Sequence, residues 1–460
     1  MADRIGPRAP KHAVLALLVA ALVIALQIAS ARPREPYADE YRYLNIASGL
    51  VLQGVFGDGA DFDAAPIAPD RKYGPLYPAF LAGLMVLDGK FAASVACFRE
   101  HRNDDTTTCP RSYGLAVPIQ GMLAAIASFG TWLIALLVTG RRAVAWVAMA
   151  IALLSGEFAA YATMFLTENL VLPLFVFGTL AALAAARRPT TARLACAGAL
   201  LGVLTLVRAE YALLGAGALA TAAVAAMIWR ANAGQIARGA VVAVAAALVV
   251  AGPWIIRNQV TFHAADRAGS YGSRILAQRL AYNEMTTKEW AVAFVYWLPD
   301  FGDNLAGALF GGDSFRRLSL DGTDTLYELG RAELLANAVT QAGAEDQALG
   351  YLVRTGILAQ PLWHVAVTFA LLWRGIWVAK YWGLITVPIF AFVLASRVRR
   401  RDWTFVLLAA PAWFMAGLYA FASISISRYN LVLIPCLAVA TAMALVPFVA
   451  KRWEHARIRW

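Results

Sequence analysis

Charged side chains are scarce in this sequence: they are 15% of 460 residues, while 60% are hydrophobic. An ordinary soluble domain carries about a quarter charged residues and keeps its apolar share near half, so that class is excluded. Strand-length alternation of apolar and polar positions is also missing, which excludes a membrane β-barrel and leaves helices as the crossing elements. Histidine is sparse, and His12, His101, His263, His364 and His455 lie far apart with no zinc-ligand spacing. Neither a GxxxxGK[ST] loop nor a glycine-rich turn opening a helix is present, so nucleotide-driven transport and dinucleotide redox chemistry have no footing. There is no repeat of fixed period and no low-complexity tract.

What is present is a series of apolar runs punctuated by arginine. Runs of about 20 residues cross roughly 30 Å of hydrocarbon at about 1.5 Å per residue. The net charge of +11 is spread between these runs rather than gathered on one face, which reads as membrane topology and not as nucleic-acid binding. Arg4, Arg8 and Lys11 precede the run 13–30 and orient it with its N-terminus inside. Ala29, Ser30 and Ala31 resemble a cleavage site, but the run is long for a signal peptide and is expected to be a retained anchor.

Threading the rest with arginines inside gives spans 114–138, one before Met164, 168–186, 192–207, 211–229, 239–255, 381–396, 403–422 and 430–449. Their inner ends carry Arg141, Arg142, Arg187, Arg188, Arg230, Arg238, Arg397, Arg399, Arg400 and Arg401, with Lys451, Arg452, Arg457 and Arg459 in the tail. Only Asp3, Asp402 and Glu454 fall with them as acids. The expectation is an all-α polytopic membrane protein of about ten transmembrane helices in a bacterial inner membrane. Its parts are a transmembrane module 1–256 with an outer loop 31–113, a small periplasmic subdomain and interfacial helix 257–380, and C-terminal helices 381–460.

Two apolar stretches are not counted as spans. Residues 74–87 are too short and suit an interfacial or re-entrant helix. Residues 361–379 are long enough, but counting them would place Arg397 to Arg401 outside, and Trp363, Trp373 and Trp377 suit a helix at headgroup level. Cys196 and Cys436 lie in apolar runs and read as small buried hydrophobes. Cys97 and Cys109 share the outer loop, where an oxidising compartment favours a disulfide over two free thiols.

The segment richest in chemistry is PYADEYRYLNIASGLVLQG, 36–54, just beyond the first span. Pro36 suits a helix start that Asp39 caps. On that helix Asp39, Arg42 and Tyr43 share a face and Glu40 points elsewhere, so one carboxylate does the work. Asp39 reads either as a working carboxylate or simply as a cap, and Glu40 as a favourable charge at the positive helix end.

D-E-x-R-Y followed by an apolar helix and then by Lys72, Pro75, Leu76, Tyr77 and Pro78 resembles the first periplasmic loop of the GT-C glycosyltransferases. It is most similar to the protein O-mannosyltransferases and the lipid A aminoarabinose transferases. MFLTENL (164–170), LVRAEYALL (206–214), PWIIRNQ (253–259) and SRYNLVLIP (427–435) follow in matching order. Gly74 in place of a second proline, one extra residue before Pro75, and a cysteine-containing insertion at 88–113 depart from the pattern.

The resemblance implies a GT-C fold and transfer of a sugar from a polyprenyl-phosphate carrier to a hydroxyl acceptor, either a glycan, a lipid or a protein. Asp39 would be the general base. Lys72, Arg257 and Arg428 would hold the donor phosphate. Glu40, Arg42, Tyr43, Glu157, Glu168, Arg208 and Glu210 would line the substrate pocket. It implies no certain cofactor, since members differ on the use of a divalent metal ion. A transporter or lipid flippase is the other class such a chain suits, but it predicts charges near the bilayer midplane and paired halves, and neither is visible.

Overall fold

The computed structural model describes residues 9–57, 69–101, 108–219, 233–262, 270–311 and 313–457. Arg4, Arg8, Arg230, Arg459, His263, Gly269, Gly312 and the second half of the expected span 211–229 lie outside the described residues. Among the described residues the regular elements are all helical, with no strand. The protein is an all-α polytopic membrane protein.

Among the described residues, seven helices are long and apolar enough to cross a membrane. They are Lys11–Ala29, Ala116–Thr139, Glu168–Arg187, Gly234–Thr261, Tyr381–Arg399, Trp403–Ala422 and Ser427–Phe448, matching seven of the expected spans. Two of the other three are shorter. The third span is Arg142–Leu154, 13 residues, ended by a left-handed turn at Gly156. The fifth is Thr191–Val207, 17 residues, and residues 211–219 are helical up to the last described position.

Two compact units divide the chain: residues 1–258, 389–408 and 434–460 form the first, and 259–388 with 409–433 the second. In the first unit the helices are α1 (Ala9–Ala29), α2 (Asp39–Gln53), α3 (Leu76–Leu87), α4 (Gly89–Glu100), α5 (Ala116–Thr139), α6 (Arg142–Leu154), α7 (Glu157–Ala162), α8 (Glu168–Arg187), α9 (Thr191–Val207) and α10 (Ala233–Thr261), which continues to its end just past the unit. α5 packs against α1, α6 and α8, and α8 against α9. Without a hydrophobic force between helices in lipid, close approach depends on small residues. Gly198 and Gly202, one turn apart on α9, provide it: a Cβ at these positions would meet the carbonyl oxygens of Ala243 and Ala247 of α10 at 2.0 and 2.7 Å. α3 and α4 fold back on each other at 118°, so the expected short element at 74–87 is one arm of a bent pair. Cys97 and Cys109 form a disulfide that closes the loop after α4. Cys196 is exposed on α9, contrary to the expectation of burial; α9 turns that side away from its protein neighbours, whereas Cys436 is buried as expected.

The second unit contains α11 (Ser270–Leu280), α12 (Thr287–Tyr296), α13 (Gly302–Phe310), α14 (Leu335–Ala342), α15 (Glu345–Leu352) and α16 (Pro361–Ile376). Thr286 and Glu289 make a reciprocal capping box that starts α12. The tryptophans expected at headgroup level also pack within the protein. Trp363 and Trp373 donate to the carbonyls of Asn283 and Phe294, at 2.7 and 2.8 Å, and Trp377 is buried. An indole inside protein needs such an acceptor, and the bends before α12 and after it expose those carbonyls.

Beneath them sit two buried arginines. Arg279 donates to the Ala420 carbonyl at 2.7 Å, the His364 carbonyl and Thr368 hydroxyl at 3.0 Å each, and Asn283 Oδ1 at 2.9 Å. Burial, followed by the nearby Arg374, lowers its pKa to about 9. Arg374 lies between the rings of Tyr282 and Trp297, at 4.8 and 4.7 Å, and donates to the Tyr282 hydroxyl and the Ile424 carbonyl. Cations belong at helix C-terminal carbonyls, and both arginines serve the end of the helix Trp403–Ala422 and the turn after it. Arg279→Met should strand those carbonyls and cost about 2–4 kcal/mol; an unchanged unfolding transition in detergent would show the arginine to be dispensable.

Candidate active site at one end of the first unit

The C-terminal end of α1, the N-terminal ends of α5 and α8 and the C-terminal end of α9 converge in the first unit, and the helices α2 to α4 are tied to them. The tie is a buried polar brace. The Tyr77 hydroxyl donates to Gln120 Oε1 at 2.8 Å, Gln120 Nε2 donates to the Ala162 carbonyl at 2.9 Å, and Asn169 Nδ2 reaches the Met164 carbonyl at 2.8 Å and Gln120 Oε1 at 3.2 Å. These side chains join α3, α5 and α8 through groups with no access to water.

α2 begins at Asp39, but Asp39 does not cap it as expected. Ala38 is the N-cap, held at φ 49°, and no side chain caps the helix. A non-glycine residue at positive φ carries strain, which here turns the chain so that Asp39 becomes the first helical residue. Asp39 and Glu40 then complement the positive helix end. The two carboxylates have different surroundings. Glu40 is 4% exposed, accepts from the Phe165 backbone N–H at 3.2 Å and is paired with Arg34. Asp39 is half-buried. The sequence pattern did not single out Arg34; its place six residues before Glu40 is beyond helical spacing and emerges only when the strand of chain after α1 bends back.

Arg42 and Tyr43 both reach the next loop. Arg42 donates to the Tyr73 hydroxyl at 2.7 Å, and the Tyr43 ring meets Tyr73 and Tyr77 edge to face at 5.5 and 5.4 Å. Tyr73 adjoins Lys72, whose ammonium stands 6.0 Å from the Tyr73 ring centre. The turn carrying Lys72 is fixed by Asp70, whose Oδ1 accepts from the Arg71 and Lys72 backbone N–H groups at 2.6 and 2.9 Å. Arg257, at the end of α10, donates to the Asp70 carbonyl at 2.8 Å and lies over Trp254 at 4.7 Å and Phe56 at 5.8 Å. Arg257 thus grips, from α10, the turn that carries Lys72, and Tyr73 connects that turn to the helix of Asp39.

Arg208 caps α9 and bridges two acids, Glu210 at 2.7 Å and Glu168 at 3.5 Å. The turn 72–74 rests on that same helix end: a Cβ at Gly74 would meet the carbonyl oxygen of Val207 at 2.3 Å, so only glycine allows the approach. This gives position 74 a steric reason to be glycine. Glu157 opens α7, half-buried, in the first turn. Arg428 lies in the second unit, half-buried, on the 3-10 segment Ser427–Leu433. Its turn is pinned by Asn430, which donates to the Gly375 carbonyl at 3.0 Å.

His101 Nδ1 contacts the Cys97 carbonyl at 3.1 Å beside the disulfide. With both sulfurs bonded to each other, this cluster has no thiolate to offer a metal. At the bend between α3 and α4, Asp88 accepts from the backbone N–H groups of Leu115 at 2.8 Å, Lys90 at 3.0 Å and Phe91 at 3.2 Å. The Leu115 bond, then the Phe91 bond, hold its pKa below the ordinary 3.8.

No protein-family model and no curated protein matches this chain. Among solved structures, the chain is similar to ArnT from Cupriavidus metallidurans bound to undecaprenyl phosphate, at 14% identity and a TM-score of 0.35, over 94% of this chain and 77% of that one.

Two outcomes test the local geometry. Gly74→Ala should push the Lys72 turn off α9 and lower the unfolding temperature; a transition at the wild-type temperature would remove the close approach. Because the Asp88 pKa is depressed on folding, its contribution is complete above about 3.9 and is lost as pH falls from there through the folded value. Asp88→Asn should weaken the acid limb of a stability–pH profile, and an identical limb would show that these bonds do not contribute.

Proposed function

We propose that the chain is an inverting glycosyltransferase that moves a sugar from a polyprenyl-phosphate carrier to a hydroxyl acceptor at the periplasmic face of a bacterial inner membrane. One observation carries this reading. A half-buried carboxylate, Asp39, begins a helix whose first turns are bonded to a turn that bears Lys72 and accepts a hydrogen bond from Arg257 of α10. The resemblance of the 36–78 segment to GT-C loops supports it independently of that geometry, and the arginine distribution supports the outward orientation.

In this reading Asp39 takes the proton of the acceptor hydroxyl as its oxygen attacks C1 of the sugar, and the bond from C1 to the phosphate oxygen breaks on the opposite face, which inverts the anomeric centre. The two carboxylates divide the work. Glu40 is committed to Arg34 and the Phe165 N–H, so it anchors α2, whereas Asp39 occupies the more accessible position a proton acceptor needs. Negative charge grows on the departing phosphate, and Lys72 and Arg257 stabilise it. Fixed cations do this well because their orientation is set beforehand: Arg257 is held by the Asp70 carbonyl and the Trp254 ring. Arg208, with Glu168 and Glu210, offers paired donors and acceptors of the kind that bind sugar hydroxyls. Arg42, Tyr43 and Glu157 complete the pocket.

Asp39→Asn should reduce transfer by about 10²- to 10⁴-fold in membranes supplied with a lipid-linked sugar, with expression and unfolding temperature retained. Wild-type turnover from that variant would end the base assignment. Lys72→Ala should raise the donor concentration needed for half-maximal rate, and an unaltered donor dependence would take Lys72 out of the phosphate site.

A further inference from the structure

Beside the proposed catalytic helix, a pocket of about 200 Å³ opens at the C-terminal end of α1. Arg32, Arg34 and Arg111 line it together with Ile28, Val117 and Thr163. Its composition is divided: Ile28 and Val117 come from the apolar ends of two membrane helices, α1 and α5, and the three guanidinium groups come from the chain just beyond them. Two of the arginines are held by carboxylates that do not line the pocket. Arg111 is paired with Glu35 at 2.8 Å, and Arg34 with Glu40. The Tyr113 hydroxyl also donates to the Arg34 carbonyl, which fixes the loop between them. Among the described residues, Arg32 makes no bond within the protein, although it lines the pocket and is exposed. The bond to Glu35 raises the Arg111 pKa further, so that group is cationic at every physiological pH.

We propose that this pocket is a binding site for the headgroup of an anionic phospholipid of the surrounding bilayer, with its phosphate on Arg32, Arg34 and Arg111 and the start of its acyl chains against Ile28 and Val117. Guanidinium groups bind phosphate oxygens through paired N–H donors, which suits this rim better than ammonium groups would. The pocket lies where an apolar span meets its first polar residues, the depth of a lipid phosphate. Earlier in the same helix Leu15, Leu18, Leu22 and Leu26 are each at least 50% exposed, and they present a lipid-facing surface to the chains. A phosphate here would touch Arg34 and so reach the residue that anchors Glu40 and the start of α2. The site does not depend on the glycosyltransferase reading, because its ligand and its test involve no transfer.

The test uses the full-length protein in detergent, titrated with phosphatidylglycerol or with phosphatidylcholine and followed by native mass spectrometry. Wild type should retain phosphatidylglycerol about tenfold more tightly than phosphatidylcholine. Arg32→Gln with Arg111→Gln should abolish that preference, whereas Arg141→Gln with Arg142→Gln, which removes the same charge at the opposite end of α5, should preserve it. Inorganic phosphate at the lipid concentration should not displace the lipid. Equal retention by the Arg32/Arg111 variant, an equal loss in the Arg141/Arg142 variant, or displacement by inorganic phosphate would each overturn the proposal. If the double variant fails to elute as a single species, Arg32→Gln alone carries the test, since that side chain supports no bond in the fold, and its retention of the full preference would be equally decisive.

Discussion

A buried amide and a buried phenol, Gln120 and Tyr77, hold the loop after α1 to the helix bundle, and the rest of the first unit's polar end depends on them. In hydrocarbon a polar group has no water to fall back on, so Gln120 must find both its acceptor and its donor partners within the protein. It finds them in Tyr77, Asn169 and the Ala162 carbonyl, which come from three different elements. That requirement fixes α3 against α5 and α8. The turn at Lys72, five residues before Tyr77, then has little freedom, and α2 is drawn to it through Tyr43 and Arg42.

The second unit repeats the principle with cations. Among the described residues, Arg279 and Arg374 are buried without a carboxylate, and backbone carbonyls at a helix end take the place of a counter-ion. Partial negative charge at a helix C-terminus makes this arrangement favourable, and the Tyr282 and Trp297 rings shield Arg374 from the side. Such arginines orient chain segments rather than react.

Strain and commitment separate two adjacent acids. Ala38 at positive φ starts α2 one residue earlier than a capping Asp39 would, and Glu40 is then directed inward to Arg34 and Phe165. Two equivalent carboxylates this close would repel each other, whereas here Glu40 is a structural anchor and Asp39 is half-buried. The basic rim around Arg32 and Arg111 joins this region through Arg34, which lines the pocket and pairs with Glu40.

Sequence alone determined the helical class, most span positions and the candidate segment. Apolar run length and arginine placement are local properties that the bilayer reads directly, and the order Asp39, Glu40, Arg42, Tyr43 already implied that one acid faces away from the others. Cys97 and Cys109 were also legible as a pair, being close in sequence within one polar loop. Only the tertiary structure decided which acid is paired with Arg34, why position 74 is glycine, that Cys196 faces outward, and which carbonyls the Trp363 and Trp373 indoles donate to. Each of these turns on a partner far away in the chain, such as Phe165 for Glu40, Val207 for Gly74 and Asn283 for Trp363, and no periodicity within a segment encodes the far end of such a bond.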